Sequence, residues 1–170
     1  MSSKQDQKDW LRQVLEHLAE EDPETAAFLH DRGVSIGFWK QGSHVGAFWL
    51  PGRHIYLNPR HYTIQTDPSD AGLHSILIHE ACHLRQGPLI ALSVYGELQA
   101  WQLGFRALHQ RTGRPYHPNL VELMSLPLIL ERGILRRAQA LMQLYASKRY
   151  RADLLPLFPW GAEIRVRLGL

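Results

Sequence analysis

The chain has 170 residues, 45% of them hydrophobic and 21% charged, with a net charge of +3, ten histidines and one cysteine. This length and composition predict a single globular domain over residues 1–170 and exclude a disordered, collagen-like or repeat-array protein. One cysteine excludes an intrachain disulfide and any zinc site with two thiolate ligands, so a metal site here would use imidazole and carboxylate groups.

The net charge is unevenly distributed, because residues 1–85 carry a net −3 and residues 86–170 a net +6. Such an asymmetry can indicate a nucleic-acid surface. The basic residues in question lie in a predicted helical stretch, at Arg132, Arg136, Arg137, Lys148, Arg149 and Arg151. Because the chain shows no aromatic–basic alternation and no DNA-binding motif, the pattern favours solvated helix faces over a nucleic-acid surface.

The amino-terminal segment MSSKQDQKDW is polar and lacks the apolar region of a secretory signal. The most apolar stretch, residues 126–135, is interrupted by a proline, a glycine and charged residues. No stretch approaches the roughly 18 uninterrupted apolar residues of a membrane span. We therefore expect a soluble cytoplasmic protein with no membrane partner.

The first half of the chain predicts two helices followed by a small sheet. Apolar residues recur at helical spacing over residues 8–20, and Pro23 opens a second helical segment that ends at Gly33. The next segments, VSIGFWK, HVGAFWL and HIYLNP, are rich in β-branched and aromatic side chains and are separated by QGS and PGR. This pattern predicts three short antiparallel strands joined by tight turns.

A third helix is predicted to follow the turn TDPSDAG, with Ser69 or Asp70 as its N-cap, and to continue to Gln86, where Gly87 and Pro88 end it. Its position directly after the strands predicts that the sheet packs on this helix. The fold class that follows is α+β, with a small antiparallel sheet, amino-terminal helices and a helical carboxyl-terminal half.

The second half of the chain predicts mainly helices. One helix spans residues 89–112 and ends at Gly113. Residues 119–150 predict two helical segments interrupted near Pro127, and residues 163–168 predict a short terminal strand.

The sequence HEACH at residues 79–83 lies within the third helix and matches the motif H-E-x-x-H. This spacing places His79 and His83 about 40° apart and about 6 Å along the helix axis, so both imidazoles can bind one metal ion. Glu80 lies on the same side, where its carboxylate can accept a proton from a metal-bound water. Because this helix is largely apolar, burying these groups without a metal and a water-filled cleft would cost free energy.

A catalytic zinc ion usually has three protein ligands, so a third ligand is required outside the motif. Glu97, in the segment SVYGELQAWQLG, is the best candidate because it is an isolated acid in a mostly apolar predicted helix. Gly87 and Pro88 allow the chain to turn back between His83 and Glu97. The alternative is that Glu97 is an exposed residue near a helix N-terminus, where acidic residues are favoured.

With HEACH on one helix and GELQA on the next, residues 34–112 resemble the HExxH zinc metallopeptidases of the gluzincin type. The short chain is similar in length to the minimal gluzincins and the ImmA/IrrE-like group. The resemblance implies a zincin-like fold and a Zn²⁺ ion held by His79, His83 and Glu97, with Glu80 as general base. It also implies that a peptide or protein substrate is hydrolysed by a zinc-activated water and is aligned by an edge strand, for which HIYLNP is the candidate.

The chain departs from the thermolysin-type pattern in its shorter spacing between the histidines and the glutamate and in lacking a downstream histidine motif. The residue that stabilises the transition state therefore stays open among Tyr95, His109, Tyr116 and His117. A second hypothesis is a non-catalytic or regulatory metal-binding protein of the same fold, which binds a protein or nucleic-acid partner through its basic carboxyl-terminal half. The substrate preference and the oligomeric state also stay open.

Overall fold

The computed structural model describes residues 4–146, 150–162 and 164. In chain order, its elements are α1 (Lys4–Glu21), α2 (Pro23–Asp31), β1 (Ser35–Phe38), β2 (Ala47–Leu50), β3 (His54–Leu57), α3 (Ala71–Gln86), α4 (Pro88–Ala91), α5 (Val94–Thr112), α6 (Pro118–Ser125), α7 (Arg132–Ala146) and a 3₁₀-helix (Ala152–Leu154). This content confirms the predicted mixture of α-helices and a small sheet. No helix in the described ranges is long and apolar enough to cross a membrane.

The two amino-terminal helices form where the sequence predicts them, because their signals are local. α1 buries Trp10, Val14 and Leu18, which recur along one helix face. α2 is capped by Asp22, whose side chain accepts a hydrogen bond from the backbone N–H of Thr25 at 2.9 Å. Both helices pack into the same core as the sheet and α3.

The three strands form a mixed sheet in the order β1–β3–β2, so the predicted small antiparallel sheet is wrong in its topology. β3 pairs antiparallel with β2 and parallel with β1, which places Ile55 opposite Trp49 on one side and Ile36 on the other. The physical reason is burial. Ile55 and Leu57 have no exposed surface, and a central strand is the position in which both are covered.

The segment that joins β1 to β2 passes over the end of β3, so β3 can lie between these two strands. Asn58, fully buried directly after β3, donates from Nδ2 to the carbonyl oxygens of Gly42 at 2.9 Å and Val45 at 2.7 Å. Its Oδ1 accepts a hydrogen bond from the backbone N–H of Arg60 at 3.2 Å. This side chain therefore holds the β1–β2 connection over the end of β3, and such a long-range contact leaves no sign in the alternation of residue types.

The strand order also decides which strand borders the helix that carries the two histidines. The sequence predicts HIYLNP as the edge strand, but this segment contains β3 and lies at the centre of the sheet, so the prediction is wrong. The edge strand beside α3 is β2. The ring centroid of Trp49 on β2 lies 5.9 Å from that of His83 on α3.

α3 has the predicted limits, because both of its ends carry strong local signals. The side chain of Asp70 caps the first turn with a hydrogen bond of 2.7 Å, and Gly87 follows the helix with a φ of 70°. α6 and α7 are the two helical segments predicted on either side of Pro127. The strand predicted over residues 163–168 falls almost entirely outside the described residues.

The single helix predicted over residues 89–112 is wrong, because the chain forms two helices, α4 and α5, in this range. The hydroxyl of Ser93 donates to the carbonyl oxygen of Ile90 at 2.6 Å and accepts a hydrogen bond from the backbone N–H of Gly96 at 3.0 Å. Ser93 therefore closes one helix and caps the next, a dual role for which serine is well suited.

α3 and α5 pack directly against each other, and Gly104 on α5 allows their close approach. A Cβ atom at Gly104 would lie 2.9 Å from the carbonyl oxygen of Ser75 and 3.4 Å from the Cβ of His79. The hydroxyl of Ser75 also donates to the carbonyl oxygen of Gly104 at 2.8 Å. The distance between the two helices is therefore set at the helical turn that carries the first histidine of HEACH.

Gly104→Ala should destabilise the protein, because the added methyl group would meet backbone atoms that cannot move aside. We expect the free energy of unfolding, measured by urea denaturation, to fall by about 1–3 kcal/mol. Gly133→Ala on α7 is the matched control, because the nearest atom there is the flexible carboxylate of Glu131 at 3.4 Å. The control should be neutral or slightly stabilising, and an equal loss in both variants would contradict the argument from close approach.

Candidate metal centre

The three predicted metal ligands converge where α3 contacts α5. The Nε2 atoms of His79 and His83 lie 3.0 Å apart, and Glu97 places Oε1 3.5 Å from the His83 Nε2 and Oε2 3.8 Å from the His79 Nε2. The ligand atoms of this group all lie within 4.8 Å of one another and could hold a metal ion. Ligands at about 2.0–2.1 Å from a tetrahedral zinc ion are about 3.3 Å apart. The 3.0 Å and 3.5 Å distances are near this value, and a small movement of the Glu97 carboxylate would bring one of its oxygens close to both imidazoles.

Each imidazole is oriented by a hydrogen bond from its other ring nitrogen. The His79 ring donates to the backbone carbonyl oxygen of Ala100 on α5, and the Nδ1 of His83 donates to the Oε1 of Gln86 at 3.2 Å. Both Nε2 atoms therefore keep a free lone pair for a metal. Burial and the neighbouring His83 hold the pKa of His79 well below its usual value, which favours the neutral form that binds metals.

Gln86, the last residue of α3, is a positioning residue that the sequence reasoning missed. Besides accepting the hydrogen bond from His83, it donates from Nε2 to the carbonyl oxygen of Gly96 at 3.0 Å and to the Oε1 of Gln99 at 2.9 Å. It thus links the second histidine to the first turn of α5, where Glu97 lies. Its position three residues after His83, on the same face of the helix, is the signal that could have indicated it.

Glu80 lies beside the three ligands and is only 4% exposed. Its carboxylate accepts a hydrogen bond from the backbone N–H of Trp49 on β2. Burial and the nearby carboxylate of Glu97 raise the pKa of Glu80 well above its usual value. A cation between His79, His83 and Glu97 would oppose this rise by favouring the ionised form, so the basicity of Glu80 depends on what the site holds.

The site opens into a cleft of about 350 Å³ that is bordered by α3, α5 and the edge strand. The cleft is lined by His79, Glu80, His83 and Glu97 and, on one wall, by residues 47–51. In the described part of the sheet β2 pairs only with β3, and the N–H of residue 49 that reaches Glu80 belongs to its unpaired edge. An extended chain in the cleft could therefore pair with β2 beside the four polar side chains.

Tyr150 lines the same cleft and is a second residue that the sequence reasoning missed. Its hydroxyl donates a short hydrogen bond to Oε2 of Glu97 and accepts one from the Nε1 of Trp101 at 3.1 Å. Burial, and then the charge of Glu97, hold the pKa of Tyr150 well above its usual value, so the hydroxyl stays protonated. No motif or spacing indicates this residue, because it follows Glu97 by more than fifty positions and reaches the site only through the fold.

The four residues considered for transition-state stabilisation lie elsewhere. His109, Tyr116 and His117 line a separate pocket of about 190 Å³ together with Tyr145. Tyr95 is partly buried against the core formed by the carboxyl-terminal helices. None of the four lines the cleft that contains the metal centre.

Gln86→Ala should weaken metal binding without removing a ligand, because His83 would lose the acceptor that orients its ring. We expect the affinity for Zn²⁺, measured by competition with a chelating dye, to fall about 10- to 100-fold. Gln110→Ala, at an exposed position of α5, is the matched control and should leave the affinity unchanged. Equal affinities of the two variants would rule out a positioning role for Gln86.

Comparisons of the chain with protein-family models, curated proteins and solved structures find no match. The assignment of a metal centre therefore rests on the chemistry and spacing of His79, His83 and Glu97. Two helices that pack directly against each other bring these side chains together. The residues present form a group able to bind a metal ion beside a buried carboxylate, in a cleft that an extended chain could enter.

Proposed function

We propose that this chain is a zinc-dependent metallopeptidase of the gluzincin type, with a zincin-like fold, that hydrolyses peptide bonds. The observation that carries the proposal is the convergence of His79, His83 and Glu97 on one point, with the buried carboxylate of Glu80 beside them in an open cleft. A structural zinc site is usually closed by four protein ligands, whereas three ligands leave a position free for chemistry.

The donor set supports zinc as the metal. Two imidazoles and one carboxylate form a common three-ligand set of catalytic zinc sites, and His79, His83 and Glu97 place one such set close together. Zinc bound there would supply a Lewis acid that polarises the scissile carbonyl and lowers the pKa of a coordinated water. The remaining tasks, which are proton transfer, charge stabilisation and substrate alignment, belong to side chains and backbone of this chain.

Glu80 performs the proton transfers in this proposal. Its carboxylate is held against the edge strand by the backbone N–H of Trp49, which directs it toward the cleft rather than toward solvent. In the ionised form it accepts a proton from the attacking water and then donates that proton to the nitrogen of the leaving amine. The carboxylate is regenerated at the end of the cycle, so one residue serves as base and then as acid.

Tyr150 is the proposed donor to the oxygen that becomes negatively charged in the transition state, and for this its single O–H would have to turn to that oxygen from Oε2 of Glu97, to which it donates here. Its hydroxyl lies in the cleft and stays protonated because burial and the charge of Glu97 raise its pKa. A neutral hydroxyl in a site of low dielectric is an effective donor to a developing oxyanion. Tyr95, the candidate nearest to Glu97 in sequence, does not line the cleft.

The edge strand supports a peptide as the substrate. β2 has a backbone edge that no described strand covers, beside the metal ligands, and on this edge the N–H of Trp49 already binds Glu80, so a peptide would pair with the other backbone groups. An extended peptide pairing with that edge would lie across the cleft with its backbone fixed and its side chains pointing alternately to either side. β2 therefore takes the role that the sequence had suggested for HIYLNP.

The basic carboxyl-terminal half offers little support for a nucleic-acid partner. Arg137 forms an ion pair with Glu122, and Arg151 forms one with Asp153 at 3.0 Å. The guanidinium of Arg132 lies 5.6 Å from the ring centroid of Phe158. Because these arginines have partners within the chain, less positive charge is left for phosphate groups, and we retain a peptide or protein as the proposed partner.

Glu80→Gln should bind zinc as the wild type does and should lose peptide cleavage, because the amide keeps the shape of the side chain but cannot accept the proton. We expect kcat to fall by at least about 10²-fold, measured by digestion of an unbiased peptide library with mass-spectrometric detection. Glu131→Gln, at an exposed position, is the matched control and should cleave normally. Equal cleavage by Glu80→Gln and the wild type would overturn the mechanism, whereas a zinc-loaded wild type that cleaves no peptide would favour the non-catalytic alternative.

Tyr150→Phe should lower kcat with little change in KM or zinc affinity, because the hydroxyl acts on the transition state rather than on the bound substrate. Loss of one such donor typically lowers kcat by about 10²–10³-fold. The measurement is steady-state cleavage of a peptide from the library digest, together with zinc competition. Tyr95→Phe is the control and should retain full activity. A fall in zinc affinity that accounts for the whole loss would instead identify Tyr150 as a residue that positions Glu97.

A further inference from the structure

A second pocket adjoins the cleft at the carboxyl-terminal end of α3. This pocket has a volume of about 370 Å³, and Trp49 and Pro51 line both it and the cleft of the metal centre. The ring of Trp49 lies 5.9 Å, centroid to centroid, from the ring of His83. The pocket therefore begins within the width of one side chain from a metal ligand, on the same edge strand.

The polar lining of this pocket is strongly basic. It contains Arg32 after α2, Arg53 in the β2–β3 turn and Arg85 on α3, three guanidinium groups from separate parts of the chain. Arg85 has an acidic neighbour, Glu24, but the distance is 3.7 Å and the Glu24 side chain is 87% exposed. Within the described residues neither Arg32 nor Arg53 forms an ion pair, so the pocket keeps a surplus of positive charge.

Two of the three guanidinium groups are held in place by the fold. Arg85 lies over the ring of Phe28 at 4.8 Å and donates to the carbonyl oxygen of Glu24 at 3.0 Å. Arg53 donates to the carbonyl oxygen of Arg32 at 3.1 Å. An arginine side chain that is already fixed by hydrogen bonds loses less conformational entropy when it binds an anion than a mobile one does. The planar guanidinium group also matches the two oxygens of a carboxylate.

Arg53 adopts a backbone conformation with positive φ, which is unfavourable for a residue other than glycine. Its φ of 69° follows a φ of 98° at Gly52, and among the described residues it is the one non-glycine residue with positive φ. Such a conformation costs a non-glycine residue free energy, and residues held in this way are frequent at ligand sites. A glycine would form the same turn without strain, so what arginine adds at this position is the guanidinium at the mouth of the pocket.

We propose that this basic pocket is a substrate subsite that binds one carboxylate of the peptide, from an acidic side chain or the carboxyl terminus, which makes peptides that carry such a group near the scissile bond the preferred substrate class. The inference rests on the proposed peptidase function, because the pocket is placed relative to a chain bound along β2. An extended chain advances about 3.3 Å per residue, and Trp49 on β2 lines both the cleft and the pocket, so a chain bound along β2 reaches the pocket within about two residues of the cleft. The bound carboxylate belongs to a residue within about two positions of the scissile bond.

The size and walls of the pocket favour a peptide carboxylate over a nucleic-acid backbone. Besides the three arginines, the pocket is lined by the apolar side chains of Phe28, Val34 and Leu84. A concave, partly apolar pocket suits the side chain of one glutamate or aspartate, or the carboxylate at a chain end. A nucleic-acid backbone presents a row of phosphates and is matched by an extended basic surface rather than by one pocket.

Binding to the zinc-loaded Glu80→Gln protein tests the subsite without cleavage. The probes are fluorescein-labelled, amidated alanine heptapeptides in which one glutamate is moved through each position, each paired with the peptide that carries glutamine there. A second pair differs only in a free or an amidated carboxyl terminus, which separates an acidic side chain from a chain end. Fluorescence anisotropy should show at least about tenfold tighter binding of the acidic peptide at one or two adjacent positions, or of the free carboxyl terminus, and this preference should weaken as salt is added.

Two substitutions in the basic pocket should then remove the tighter binding of acidic peptides. Arg32→Gln combined with Arg53→Gly should lower the affinity for the acidic peptide to that for its neutral partner, which should itself bind as before. Arg53→Gly relieves the backbone strain, so a thermal unfolding midpoint no lower than that of the wild type would show that the turn is intact. Arg136→Gln, an exposed arginine on α7, is the matched control and should retain the full preference.

Equal binding of acidic and neutral peptides, or a preference that survives the double substitution, would overturn the subsite. A single-stranded oligonucleotide that displaces the acidic peptide through these same arginines, and binds more tightly than it, would replace the peptide carboxylate with a phosphate ligand. The proposed function fails differently. If the wild type cleaves no peptide but still binds the acidic peptide more tightly than the neutral one, the proposed peptidase function is wrong and the carboxylate subsite stands. If the wild type cleaves peptides but binds acidic and neutral ones equally, only the carboxylate subsite is wrong.

Discussion

Four ionisable side chains are buried or largely buried where α3 contacts α5, and the packing of both helices and of the edge strand has to accommodate them. Glu80 and His83 are 4% and 1% exposed, and they lie in a helix whose other buried residues are mainly leucine, isoleucine and alanine. Groups of this kind cost several kcal/mol each when buried without partners. Hydrogen bonds from the Trp49 backbone and to Gln86 offset part of that cost, and a cation held with Glu97 would offset more, which couples metal binding to stability.

The helix contact itself depends on small residues and on one cap. Gly104 lets α5 approach α3 at the turn of His79, and a Cβ at Gly96 would meet the backbone of Ile90 in α4. Ser93 starts α5 where it does, so that Glu97 falls in its first turn and faces the histidines. The break that divides the predicted helix is therefore part of the site, because an uninterrupted helix would not turn back to bring a carboxylate to α3.

The topology of the mixed sheet also determines which strand borders the metal centre. Because β3 takes the central position, β2 becomes the edge strand next to α3. Trp49 then has three contacts that matter for function: its backbone N–H binds Glu80, its ring lies against His83, and its side chain separates the metal cleft from the basic pocket. In the proposed function, this one strand aligns the peptide backbone, positions Glu80 as the proposed general base and separates the cleft from the proposed carboxylate subsite.

Features that depend on residues a few positions apart could be predicted from the amino-acid sequence. Helix periodicity, the cap at Asp70 and the pairing of His79 with His83 were predictable because hydrogen bonds and side-chain contacts within one or two helical turns produce them. The tertiary structure decided the strand order, the edge strand beside the site, and the inclusion of Gln86, Tyr150 and the three arginines. These depend on contacts between segments distant along the chain, where burial of the whole core selects one arrangement and no local pattern records it.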